Sequence, residues 1–222
     1  MMPDVVKGQR TMEALVEKIY GAVLKGSKED TEEAVQAAIG AGVETETILG
    51  MGLIGAMTEV GRLFEAGEYY VPQMLIAARA MQGGLNLLRP LLVSAGIEPA
   101  GRVAIGTVRG DLHDIGKNLV AMMLEGGGFE VIDLGTDTWP AGFVEAAADG
   151  AQVIAMSALL TTTMPAMKET IEALEEAGLR DQVTVVIGGA PITPSYADEI
   201  GADGYAPDAS SAVRLIEQLL AS

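Results

Sequence analysis

An all-α bundle followed by an α/β part with a five-stranded parallel sheet is the fold this sequence predicts. Two observations carry it. Up to residue 92, apolar residues recur at helical spacing, and no β-like alternation appears before Val93. From residue 102 onwards, short apolar runs alternate with helical ones, the rhythm of a parallel sheet covered on both faces.

Taken in order, residues 1–9 read as a loose start. From Thr11, the spacing of Met12, Leu15, Val16, Ile19 and Val23 predicts a first helix, ended by Gly26. Ser27 with Asp30 three residues on resembles a capping box and opens a second helix through about Ile39. Thr45 is placed to cap a third, whose inner stripe is Leu49, Leu53, Met57, Val60 and Phe64. Gly50, Gly52, Gly55 and Gly61 lie inside that helix and each costs stability relative to alanine, so close packing is expected at some of them. Pro72 suits the first turn of a fourth helix with Met74, Ala77, Ala78, Met81, Leu85 and Leu88 on one face. The expected organisation is therefore a small antiparallel bundle over residues 1–92, a linker over 93–101 (VSAGIEPAG), and a second domain over 102–222.

In that second domain, strands are predicted at 102–108, 129–134, 152–157, 183–187 and 203–206. Helices are predicted near 115–126, 140–149, 164–178, 193–200 and 209–220. Five strands suit the flavodoxin-like order 2-1-3-4-5, whose crevice lies between the carboxyl ends of strands one and three.

Composition narrows the function. The chain has no cysteine, which excludes disulfides, thiolate zinc sites and catalytic thiols. It has one histidine, which excludes a multi-histidine metal site, so any metal must arrive with a cofactor that brings most of its own ligands. With 31 acidic against 14 basic residues, the formal charge of −17 opposes nucleic-acid binding and docking on anionic membranes. No signal-peptide order appears at the N-terminus. Gly150–Met167 is long and uncharged, but Gln152, Ser157, three threonines and Pro165 make it a poor span. The expectation is a cytoplasmic, soluble protein.

The one histidine sits in Gly110–Asn118, GDLHDIGKN, between the first strand and the helix after it. Asp111 lies two residues before His113, and Asp114 is placed to cap that helix. A carboxylate that takes the proton of one ring nitrogen leaves the other free to bind a metal or act as a base. The same topology brings the hydroxyl-rich SALLTTTMP segment, starting at Ser157, and Gly188-Gly189-Ala190 to the same edge. Missing side chains at that glycine pair leave room for a close approach to the sheet. Alone, each feature also fits a solvated histidine, a helix cap or a plain turn.

Together, Asp111-x-His113-x-x-Gly116, then Ser157-x-Leu159, then Gly188-Gly189 resemble the cobalamin-binding signature of methionine synthase and corrinoid methyltransferase proteins. LFEAGEYYVPQML followed by AARAM resembles the helical cap of the same proteins, so the likeness covers nearly the whole chain. It is similar in length and make-up to the free-standing corrinoid proteins of methanogenesis and acetogenesis.

That resemblance implies cobalamin or a related corrinoid bound base-off and His-on, with His113 the lower axial ligand of cobalt. Asp111 would hold the other ring nitrogen. Thr163, where the family has a serine, would complete the triad with its hydroxyl and an added methyl. Asp111, Leu112, His113, Asp114, Ile115, Gly116, Ser157, Leu159, Thr161, Thr163, Gly188 and Gly189 would line the cofactor's slot. Phe64 and Val71 match cap positions over the upper face, with valine where methionine synthase has leucine.

The implied activity is methyl carriage in one-carbon metabolism. Cob(I)alamin accepts a methyl group from a donor held by a substrate-specific methyltransferase: a methylamine, methanol, glycine betaine or a methoxyaromatic. A second methyltransferase passes it to coenzyme M or tetrahydrofolate, and a reductive activase is a further implied partner. The carrier would not be catalytic alone. A cobalamin-dependent sensor without methyl transfer is the alternative, and its usual DNA-binding domain finds neither room nor a basic patch here. A receiver-like signalling module would need an aspartate where the third strand ends at Ser157.

Overall fold

The computed structural model describes residues 4–221, with side chains from Arg10 onwards. The chain divides between Glu98 and Pro99 into two compact units.

The first unit is helical: α1 (Asp4–Lys25), α2 (Lys28–Gly40), α3 (Thr45–Thr47), a π-helical segment (Ile48–Ile54), α4 (Gly55–Glu65) and α5 (Val71–Ala95). Helix α1 begins at Asp4, so the loose start expected over 1–9 is helical from there on, and residues 1–3 lie outside the described residues. Ser27 caps α2, its hydroxyl accepting from the Asp30 N–H at 3.4 Å. Thr45 does not cap the third helix. Glu44 holds that position, without a side-chain hydrogen bond.

The inner stripe also shifts. Ile48 rather than Leu49 is buried with Leu53, because the wide π turn puts residues five apart on one face. Gly52 repays its helix cost as expected: a Cβ there would lie 3.1 Å from Ile19 Cγ2. The 21-residue run Thr45–Glu65 is long and apolar enough to cross a membrane. Its Ile48, Leu53, Ala56, Met57 and Val60 are nonetheless buried in the bundle core with Ile19, Val35, Met74 and Met81. Helix α5 opens with Pro72 in its first turn and runs to Ala95, ending on Gly96 in the left-handed conformation. The segment expected as linker from residue 93 is thus helical for its first three residues.

The second unit is the α/β part: β1 (Arg102–Thr107), α6 (Ile115–Gly126), β2 (Glu130–Asp133), α7 (Pro140–Ala148), β3 (Val153–Ser157), α8 (Pro165–Glu176), β4 (Thr184–Gly188), α9 (Pro194–Ile200), β5 (Gly204–Ala206) and α10 (Ala209–Leu220). The sheet order is β2-β1-β3-β4-β5 and every pairing is parallel. This is the predicted topology.

Side chains of β1 and β3 alternate between two cores. Ala104, Ile154 and Met156 pack with Phe143 of α7 and Met167 and Leu174 of α8. Val103, Ile105, Val153 and Ala155 pack with Leu124 of α6 and Ile216 of α10. With both faces covered, the carboxyl ends of the strands are the place where loops converge. The uncharged Gly150–Met167 stretch is accounted for by buried β3 and the loop that follows it.

Candidate functional site

Strand β1 is apolar from Val103 to Gly106, and its last residue places a hydroxyl at the carboxyl edge of the sheet. Thr107 is fully buried and donates through Oγ1 to the carbonyl oxygen of His113 at 2.9 Å, folding the next six residues back on the strand. Gly110 adopts φ +83°, which lets the loop turn inward at Asp111.

Asp111 is the centre of the site. Its side chain has no solvent exposure. Oδ1 accepts from the backbone N–H of His113 at 3.1 Å and lies 2.7 Å from His113 Nδ1. Oδ2 reaches across to the loop after β3, accepting from the N–H groups of Leu159 and Leu160 at 2.8 and 3.2 Å and from Thr163 Oγ1 at 2.8 Å. Burial pushes this carboxyl up. The N–H groups of Leu159 and His113, with the His113 ring and the Thr163 hydroxyl, outweigh it and hold the group well below the usual carboxylate range. Asp111 is therefore an anion at neutral pH, and an anion only accepts. The proton between it and the imidazole belongs to Nδ1, so Nε2 is the ring nitrogen that remains for a ligand.

The His113 side chain is about half exposed (52%), in contrast to its buried partner. Apolar side chains flank it in sequence and across the edge: Leu112 and Ile115 are 72% and 80% exposed, and Leu159 and Leu160 are also exposed. An outward imidazole nitrogen beside uncovered aliphatic groups suits a large flat partner that carries its own polar centre. Among the described residues, no group of three or more His, Asp or Glu could hold a bare metal ion. A metal here needs other ligands from its cofactor. Gly116, in the first turn of α6, faces open space, since a Cβ there meets nothing within 4 Å.

Asp111, His113, Leu159 and Thr163, all expected at the site, are joined by these hydrogen bonds. Thr163 Oγ1 also lies 2.9 Å from the Leu160 carbonyl, so its one proton has two acceptors. Asp114 stands at the N-terminus of α6, but its side chain does not cap the helix as expected. It takes the amide of Asn118 at 3.1 Å instead. Thr161 is exposed on the β3–α8 loop, and Ser157 ends β3, its carbonyl accepting from the Val108 N–H. Gly188 and Gly189 do adjoin this loop. The room at Gly189 is filled by the chain itself: at φ +133°, a Cβ would lie 1.9 Å from the carbonyl oxygen of Ala158. In the helical unit, Phe64 is half-buried on α4 and Val71 is exposed at the start of α5.

Three contributors were not legible beforehand. Thr107 reads as an ordinary strand residue, although a hydroxyl ending an apolar strand was the available signal. Lys117 is buried in the first turn of α6, where it pairs with Asp133 at 2.5 Å. Asp137, in the β2–α7 loop, accepts the Gly110 N–H on Oδ1 at 2.7 Å and donates its own N–H to the Asp111 carbonyl at 2.9 Å.

Comparison with known proteins bears directly on this geometry. Two family models, each described as a B12 binding domain, match residues 101–214 and residues 15–89. A dimethylamine corrinoid protein of Methanosarcina acetivorans is 44% identical over 211 residues, 94% of this chain and 99% of the relative. A trimethylamine corrinoid protein of the same organism is 40% identical over 211 residues, 94% of this chain and 98% of the relative. The crystal structure of the methanol:cobalamin methyltransferase complex from Methanosarcina barkeri contains a similar chain, with a TM-score of 0.84 at 29% identity, covering 94% of this chain and 80% of that one.

Proposed function

The chain belongs to the corrinoid proteins built on a B12-binding domain, and from that premise we propose how its residues hold the cofactor and serve methyl carriage. The protein binds cobalamin or a related corrinoid, which when bound supplies a cobalt centre able to accept and release a methyl group. The observation that carries the residue assignments is the Asp111–His113 pair, with Nδ1 committed to a buried anion at 2.7 Å and Nε2 left outward.

His113 would hold the corrinoid's cobalt through Nε2. Asp111 fixes the ring's tautomer and direction, and its negative charge raises the basicity of the ligating nitrogen. Thr163, Leu159 and Leu160 hold Asp111 in turn, so the ring is oriented by two loops at once. Leu112 and Ile115 offer apolar contact to the macrocycle. The remaining slot is lined by Asp114, Gly116, Ser157, Thr161 and Gly188, while Gly189 seats the loop that holds Asp111. The residues present fit a corrinoid: one nitrogen donor, uncovered aliphatic groups around it, and an open glycine in the adjoining helical turn.

The protein carries methyl groups between methyltransferases rather than acting alone. A methylamine is the donor that the relatives at 44% and 40% identity favour by name, ahead of the methanol system at 29%. Dimethylamine and trimethylamine relatives lie at comparable identity, so the choice among amines rests with the partner enzyme. A second methyltransferase to coenzyme M or tetrahydrofolate, a reductive activase and a cytoplasmic location complete the reading. The names of these relatives favour carriage over the sensor alternative.

Loading the wild-type protein and His113→Ala with cobalamin, followed by gel filtration, tests the assignment. Wild type should retain corrinoid stoichiometrically. The cobalt(II) EPR spectrum should show a nitrogen splitting that changes when histidine is ¹⁵N-labelled, and His113→Ala should lack it. A wild-type protein that retains no corrinoid, or a splitting insensitive to the label, overturns the assignment.

A further inference from the structure

The loop bearing His113 is held from two sides, and only one of them belongs to the triad. On the β3 side, Oδ2 of Asp111 takes three donors from Leu159, Leu160 and Thr163. On the β2 side, the parallel pairing of β1 with β2 continues beyond the strands. Thr107 N–H donates to the Gly135 carbonyl at 3.0 Å, Thr138 N–H to the Thr107 carbonyl at 2.9 Å, and Val108 bridges Thr138. This extended ladder delivers Asp137 to the turn at Gly110 and Asp111.

Asp137 is the one described non-glycine residue with positive φ, at 51°. Aspartate tolerates that region better than most residues, yet it still costs about 1 kcal/mol. The conformation brings two groups to bear at once: Oδ1 on the Gly110 N–H at 2.7 Å and the backbone N–H on the Asp111 carbonyl at 2.9 Å. The two-residue stretch Gly110–Asp111 is thus gripped at both ends by one residue, at the Gly110 N–H and at the Asp111 carbonyl. Gly110, itself at φ +83°, would otherwise be the freest joint in the loop.

We infer that Asp137 is a positioning residue for the axial histidine: by clamping the Gly110–Asp111 backbone it sets the direction in which Asp111 presents the His113 ring. The inference rests on the ligand role proposed above. The hydrogen bonds of Asp137 to this loop go to backbone groups of Gly110 and Asp111 rather than to the ring. It acts through Asp111, whose side chain is anchored to one neighbouring loop while its main chain is anchored to the other. Loss of the Oδ1 acceptor leaves the side-chain anchor of Asp111 intact and frees the Gly110 end of the stretch, so histidine ligation loosens while the cofactor's slot persists.

Three variants of the corrinoid-loaded protein separate the clamp from the backbone strain. Asp137→Asn keeps an acceptor oxygen and tolerance of positive φ. Asp137→Gly removes the acceptor and relaxes φ, and Asp137→Ala removes the acceptor and strains φ. The readouts are the share of cobalt(II) EPR signal with ¹⁵N-histidine-sensitive splitting, the cobalt(II)/cobalt(I) midpoint potential, corrinoid occupancy and unfolding temperature.

Asn should match wild type. Gly and Ala should both lower the ratio of ligated to unligated histidine by about fivefold to tenfold, the size of one lost ordinary hydrogen bond. Their midpoint potentials should move positive, because the axial nitrogen stabilises cobalt(II) more than cobalt(I). Wild-type ligation in the Gly variant overturns the inference, as does a defect confined to Ala, which would trace to strain alone. Wild type that binds corrinoid without histidine ligation overturns the ligand role and this inference together. A fully ligated wild type alongside an equally ligated Gly variant overturns this inference alone.

Discussion

Gly116 and Gly189 belong to the same three-part signature at the same edge of the sheet, yet they face opposite surroundings. A Cβ on Gly116 meets nothing within 4 Å, whereas one on Gly189 falls 1.9 Å from the Ala158 carbonyl oxygen, 2.9 Å from its carbonyl carbon and 3.2 Å from its nitrogen. The first glycine leaves space outside the protein's own packing. The second gives its space to the protein's own chain. The approach at Gly189 seats the β3–α8 loop, and the two residues after Ala158 supply the N–H donors that hold Asp111. One glycine of the signature thus serves a guest, and the other serves the residue that aims the histidine.

Gly189→Ala should have the largest effect on the fold. The obstructing atoms are backbone, which no rotamer change can move, and φ +133° is nearly closed to a residue with a side chain. Strain and overpacking together should cost on the order of 4 kcal/mol in urea unfolding. Histidine ligation should fall with it, because Leu159 and Leu160 move. A Gly189→Ala protein of wild-type stability would remove the contrast with Gly116.

Asp111→Asn comes next. The amide is a donor at one end, so it must face either the His113 groups or the N–H groups of Leu159 and Leu160 and the Thr163 hydroxyl, donor against donor. The expected loss is about 2–3 kcal/mol near neutral pH. Its pH dependence follows from the direction of the shift. The folded-state carboxyl titrates below its ordinary value near 3.8, so the anion's contribution is complete above that value. It declines as pH falls below it towards the folded-state value. The stability gap between wild type and Asp111→Asn, measured by urea unfolding at pH 7 and pH 3, should therefore narrow at the lower pH. A gap that widens on acidification would mean Asp111 is not held as an anion.

The topology and the Asp111–His113 pair were legible because both rest on local pattern, whereas Thr163, 52 residues from Asp111, entered only through the resemblance. The strands of the second unit are short apolar runs, and the helices between them open on Pro140, Pro165 and Pro194, which mark their starts in the sequence. Asp111 and His113 are two residues apart, within reach of any pairing argument. Leu49 and Leu53 are four apart and fit an α-helix, and nothing local announces that a π turn puts Ile48 inside instead. Asp137 and Thr107 escaped for a related reason. Each acts on a backbone group in a loop or strand end more than five residues away, and such bonds leave no periodic trace. At Gly189 the expected close approach is made by the Ala158 carbonyl, and the sequence does not name the visitor, since a missing side chain looks the same whether a ligand or a carbonyl takes its place.

Gly116→Ala is the gentlest substitution and the one that most directly sharpens the contrast. In the unliganded protein, the new methyl meets no neighbour, and alanine in a helical turn is favoured over glycine by up to about 1 kcal/mol. Unfolding should therefore be unchanged or slightly harder. Corrinoid retention should weaken, because the methyl occupies space that the reading assigns to the cofactor. Titration with cobalamin, followed by the change in its visible spectrum, measures this separately from stability. A variant that binds corrinoid as tightly as wild type would show that the open space at Gly116 is plain solvent. The signature's first glycine would then need another explanation, such as the close packing that Gly189 already illustrates.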